Sequence, residues 1–119
     1  MADTGAIAIV DDDPAILDSL KLLLEVAGHR VVTYVSANAF LNDRTTGLAY
    51  VILDQDMPEM TGLEVATRLR GEGSNVPVLL VADLLSPAIH ARAAQLGIEK
   101  VREKPVKEVG LMSFVSGHP

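Results

Sequence analysis

Short apolar runs alternate with segments whose apolar residues fall at helical spacing, and the alternation continues along the whole chain. "AIAIV" (6–10) is almost continuously apolar and ends on aspartates, the pattern of a strand buried on both faces. From Pro14 the period changes: Ile16, Leu17, Leu20, Leu23, Leu24 and Ala27 recur at helical intervals. Asp13 as N-cap, Pro14 at the first helical position and Gly28 just beyond the end give this helix a start and a stop.

The same reading continues downstream. "RVVTYV" (30–35) is β-branched and aromatic, a second strand, and "SANAFLND" (36–43) is a short helix opened by Ser36. "AYVILD" (49–54) is a third strand that also ends in an aspartate. "TGLEVATRLRGEG" (61–73) predicts a helix with Leu63, Val65, Ala66 and Leu69 inward. "VPVLLVA" (76–82) is a fourth strand, and "SPAIHARAAQLG" (86–97) a helix with a Ser cap, a Pro in the first turn and a glycine stop. "EKVREKP" (99–105) is a short strand, and "KEVGLMSFV" (107–115) opens a last helix that Gly110 interrupts. Five βα units with brief loops predict an α/β fold, a five-stranded parallel sheet, doubly wound, with right-handed crossovers. The last helix is short or incomplete, which leaves part of one sheet face thinly covered or covered by a second subunit.

Composition narrows the classes. At 119 residues the chain is expected to form a single domain, 1–119, and 49% hydrophobic against 22% charged residues is ordinary globular material. A net charge of -6 argues against direct nucleic-acid binding through the phosphate backbone. The absence of cysteine excludes disulfides and thiolate chemistry. With neither a signal-peptide pattern nor an apolar run long enough to span a membrane, a cytoplasmic protein without a membrane partner is expected.

In an open α/β sheet the ligand crevice lies beyond the carboxyl ends of the strands. That rule gathers Asp11, Asp12 and Asp13, Asp54 and Asp56, Ala82 and Asp83, and Lys104 at one edge. Clustered carboxylates repel unless a cation offsets them, and oxygen-only donors suit a hard ion such as Mg2+. A lysine facing them pairs with a phosphoryl group, so phosphoryl chemistry with a carboxylate nucleophile is the indicated class. The plainer readings differ by residue: Asp13 as helix cap, Asp11 and Asp12 as turn residues, Asp83 as a solvated loop residue, Lys104 as a surface residue. Pro105 ends its strand and is compatible with a cis peptide. His29, His90 and His118 read as surface or loop residues, and no glycine-rich phosphate loop is present.

"IVDDD" (9–13), "LDQDMPEMTG" (53–62) and "EKP" (103–105), at their spacing within the βα alternation, resemble the receiver domain of bacterial two-component response regulators, in particular that of the nitrogen-fixation regulators. The resemblance spans residues 6 to 109. It implies the flavodoxin-like receiver fold, with Asp54 as phosphorylation site and Lys104 as the lysine that contacts the phosphoryl oxygen. It implies Mg2+ held by Asp11, Asp12 and Asp54, with the backbone carbonyl of Asp56 completing the shell. Met57, Pro58 and Gly62 match the acceptor turn, and Pro105 the residue after a peptide usually cis in the family. The implied partner is a sensor histidine kinase or phosphotransfer protein, with an output protein or a homodimer downstream.

Two positions depart from the family pattern. Where the fourth strand normally ends in Thr or Ser stands Ala82, and where the fifth strand normally carries an aromatic ring stands Val101. A valine has one stiff side-chain torsion and no ring to swing. Phosphorylation without conventional switching is therefore expected, any catalysis being the chain's own phosphorylation and dephosphorylation at Asp54. The alternative is a receiver-like interaction module that is not phosphorylated. A small aspartyl phosphatase is a third reading, weakened by the lack of a cap domain. Leu84 and Leu85 either pack inward or form part of a partner surface. Any output domain would belong to another chain or to sequence beyond residue 119.

Overall fold

The computed structural model describes residues 5–43 and 47–116, so that His118 lies outside the described residues. The elements alternate as β1 (Ala6–Val10), α1 (Pro14–Val26), β2 (Val31–Tyr34), α2 (Ala37–Asp43) and β3 (Leu48–Asp54), followed by α3 (Gly62–Gly71), β4 (Val78–Ala82), α4 (Pro87–Gln95), β5 (Lys100–Glu103) and α5 (Glu108–Val115). All neighbouring strands pair in parallel, in the order β2-β1-β3-β4-β5. The sheet is the doubly wound α/β sheet that the alternation predicts.

The period-2 geometry of the strands splits their residues between two cores. Ile7 and Ile9 of β1, with Ile52, Leu79 and Val81, face α1 and α5, which contribute Leu17, Leu20, Leu24, Leu111 and Phe114. Ala8 and Val10, with Val51, Leu53, Val78 and Leu80, face α2, α3 and α4, whose buried residues include Phe40, Val65, Ala66 and Ala93. The central strands are buried on both sides because helices cover both, which is why they read as unbroken apolar runs. In α5, Phe114 meets Tyr50 edge-on, with ring centroids 5.0 Å apart.

Helix starts follow the local signals. Asp13 accepts the Ala15 N–H at 2.9 Å and Ser86 accepts the Ile89 N–H at 3.1 Å. Ser36 accepts the Ala39 N–H at 3.0 Å, opening α2. Thr61 and Glu64 form a reciprocal capping box at the start of α3. Gly28 takes φ +97° after α1, a conformation a side chain resists.

Several expected details shift. The fourth strand starts at Val78 rather than residue 76, since Pro77 has no N–H to donate and only its carbonyl joins the ladder, accepting Val51 N–H at 3.0 Å. The fifth strand covers Lys100–Glu103 only. Ile16 and Ala27 fit the helical period but lie outside the buried stripe of Leu17, Leu20 and Leu24. Leu84 does not pack inward: it is 78% exposed, whereas Leu85 is half-buried.

Candidate functional site

Strand order reverses around β1, which pairs with both β2 and β3, and this places a crevice at the carboxyl edge. Register fills it. Val10 pairs with Leu53, so Asp11 and Asp54 follow side by side; Asp54 in turn pairs with Val81, and Ala82 with Glu103, after which comes Lys104. Residues from four different strand ends thereby meet.

Asp54 is the most enclosed of the carboxylates, 2% exposed. Its Oδ1 accepts the Asp56 N–H at 2.9 Å and lies 2.7 Å from the Lys104 Nζ. Its Oδ2 is buried and has no hydrogen-bond partner among the described residues. The Lys104 backbone is fixed by its N–H donating to the Ala82 carbonyl at 2.8 Å, and the Lys104–Pro105 peptide is cis. Gly62 packs against the end of β3, where an added Cβ would stand 2.7 Å from the Asp54 carbonyl oxygen. Only glycine permits that approach.

Asp11 is buried as well, and its Oδ1 accepts the Asp13 N–H at 2.9 Å. Burial raises its pKa to about 6, helped by the charges of Asp54 and Asp12 and opposed by the Asp13 N–H and Lys104. For Lys104, desolvation acts to lower the pKa, but the hydrogen bond and charge of Asp54, with Asp83 and Asp56 adding, outweigh it, and the pKa is raised. Carboxylate oxygens of Asp11, Asp12 and Asp54 lie within 4.8 Å of one another. An orphaned buried oxygen inside an all-oxygen, like-charged set fits a hard divalent cation: the ion supplies the partner for Asp54 Oδ2 and the countercharge that Lys104 alone leaves incomplete.

The remaining expected residues sit around this centre. Asp13 and Pro14 start α1. Met57 is buried and Pro58 exposed in the loop between β3 and α3. The Asp56 side chain stays outside the three-carboxylate set, accepting the Asp83 N–H at 2.7 Å through Oδ2. Ala82 is fully buried. Val101 is half-buried on β5 beside a separate cavity of about 550 Å³ that includes His90, Ala94 and Arg102. His29 and His90 line no part of the acidic crevice, which opens into a cavity of about 580 Å³ whose apolar side includes Ile16, Leu23 and Val106.

One contributor, Gln55, was not legible in the sequence, and a second, Asp83, was gathered at this edge but also read as a solvated loop residue. Gln55, between two aspartates, accepts the Leu63 N–H at 2.8 Å and so ties the end of β3 to α3. Asp83, exposed as a loop residue should be, nevertheless places Oδ1 3.8 Å from the Lys104 Nζ. Its position at a strand end was the only available signal.

Comparison with known proteins agrees with this fold. The response regulator receiver domain family matches residues 7–116. Response regulator protein TmoT of Ectopseudomonas mendocina is 36% identical over 112 residues, covering 93% of this chain and 51% of that protein. Transcriptional regulatory protein FixJ of Bradyrhizobium diazoefficiens is 33% identical over 117 residues, covering 97% of this chain and 57% of that protein. The chain thus spans about half the length of these curated relatives. The crystal structure of a CheY-like receiver domain protein from Methanospirillum hungatei superposes with a TM-score of 0.87 at 26% identity, covering 96% of this chain and 92% of that one.

Proposed function

The chain belongs to the response regulator receiver domain family, with 7–116 matched, and from that membership we propose that it accepts a phosphoryl group on Asp54 from the phosphohistidine of a kinase or phosphotransfer protein. The observation that carries the reading is the Asp54 carboxylate itself: buried at the switch-point crevice, held through Oδ1 by Lys104 at 2.7 Å, and unpartnered at Oδ2.

Asp11, Asp12 and Asp54 would hold Mg2+, with the Asp56 backbone carbonyl, and the bound ion would offset charge on the phosphoryl oxygens. The chain's own part is positional. The Asp56 N–H and Lys104 orient the Asp54 carboxylate, and burial keeps its competing hydrogen bonds with water few. Lys104 stands where it can follow a phosphoryl oxygen once the carboxylate has become an acyl phosphate, adding a charge-assisted hydrogen bond. Ala82 offers no hydroxyl, which forgoes one such bond, worth about 1–3 kcal/mol for a charged oxygen. Val101 provides no ring to couple the site to α4 and β5. Output then passes through surfaces other than the usual switch pair, to a partner protein or a second copy, in the cytoplasm and without direct nucleic-acid contact by this chain.

The competing reading, a module that binds partners without being phosphorylated, is favoured by Ala82 and Val101 alone. Incubation with Mg2+ and either acetyl phosphate or phosphoramidate, followed by intact-mass measurement, separates the two. A phosphoryl adduct in the native chain that is absent from Asp54→Asn is the expected result. No adduct with either donor would establish the binding-only reading instead.

A further inference from the structure

The mouth of the acceptor crevice is more acidic than a cation site requires. Asp11, Asp12 and Asp54 form the compact set, yet Asp56 and Asp83 also face Lys104, at 3.5 Å and 3.8 Å from its Nζ. The Asp83 N–H donates to Asp56 Oδ2 at 2.7 Å, which fixes the loop after β4 against the loop after β3 and keeps the Asp83 carboxylate at this rim. Ala82 precedes it, so the first polar side chain beyond β4 is an exposed negative charge where a neutral donor is absent.

We propose that Asp83 is a specificity-determining residue that selects among phosphoryl donors by the charge they bring into the crevice, an inference that rests on Asp54 being the acceptor. An acyl phosphate arrives as a dianion. Its transfer forms an O–P bond from an Asp54 carboxylate lone pair and breaks the acyl O–P bond, whose electron pair leaves on a carboxylate that must pass the acidic rim. A phosphorylated nitrogen base arrives with its nitrogen system protonated and one unit less negative charge. Its P–N bond breaks with the electron pair retained by nitrogen, and the leaving base departs neutral, with no further proton required.

Asp83 therefore opposes the first class more than the second. At the high effective dielectric of an exposed rim, one unit of donor charge near the Asp83 carboxylate corresponds to roughly a three- to tenfold difference in rate. Asp83 also offsets part of the Lys104 charge, and removing it strengthens that attraction more for the more highly charged donor, so both effects of Asp83 move the ratio in the same direction. The ratio between donors, not the rate with either, is the signature.

The test compares the native chain, Asp83→Asn and Asp83→Ala, labelled by acetyl phosphate and by phosphoramidate with Mg2+, at low salt and near 1 M salt. Both variants are expected to gain roughly three- to tenfold more with acetyl phosphate than with phosphoramidate at low salt. That difference collapses near 1 M salt, where the screening length falls to about 3 Å. Equal gains with both donors, no gain, or a salt-independent ratio overturns the charge filter while leaving Asp54 as acceptor. Absence of labelling in all three chains with both donors overturns the acceptor reading and the filter with it.

Discussion

Asp11 shows how a single residue couples the metal-free fold to pH. Its folded pKa of about 6 lies above its ordinary value of 3.8, so the folded state holds the proton more tightly than the unfolded chain does. The stability this group contributes is complete below 3.8 and is lost as pH rises to about 6, a change on the order of 3 kcal/mol. Without divalent metal, Asp11→Asn is expected to be more stable than the native chain at pH 7 by about 1–3 kcal/mol, and the gap is expected to close toward pH 4. Urea denaturation of both chains across that range measures it, and a gap independent of pH would sink the argument. Residue identity was legible here: Asp11, Asp54 and Lys104 stand out in the sequence by charge at strand ends. What burial does to them was not, because burial depends on what the other elements place above them. Asp83 illustrates this: the strand-end rule put it at the same edge as Lys104, but nothing in its neighbours or spacing gave the distance of 3.8 Å between them.

At the scale of elements, α3 has two tasks that meet at its first residue. The Thr61–Glu64 capping box starts the helix, and Gly62 lets that start press against the end of β3. Gly62→Ala places a methyl group 2.7 Å from the Asp54 carbonyl oxygen and 2.8 Å from Leu80 Cδ1. Backbone has to move, with an expected cost of about 1–3 kcal/mol and a slower rate of phosphoryl labelling as Asp54 is displaced. Thermal melts and intact-mass time courses report the two effects. Gly71→Ala, near the end of the same helix with nothing near the added carbon, is the control and should leave the labelling rate unchanged. Helix starts were readable because caps act within four residues of chain. The strand limits at Pro77 and Glu103 were less so, since a strand ends where its partner stops pairing.

For the whole molecule, the acidic crevice joins the ends of β1 and β3, so a cation bound there ties together two elements far apart in sequence. If Mg2+ is that cation, mass action makes it a stabiliser: a hundredfold excess over Kd adds about 2.7 kcal/mol. The melting temperature of the native chain is expected to rise with Mg2+ and return on chelation, while that of Asp11→Asn responds far less. An equal response from both chains would place the metal elsewhere. By itself the sequence determined the alternation of strands and helices, their caps, and the acidic and basic residues at the strand ends, because periodicity, capping and turn chemistry act over a few neighbouring residues. Only the tertiary structure decided that Asp54 is sealed with one oxygen unpartnered, and how closely Lys104 approaches Asp54, Asp56 and Asp83. Those facts depend on the register between strands and on how deeply the loops bury one another, and both are set by packing across the whole sheet.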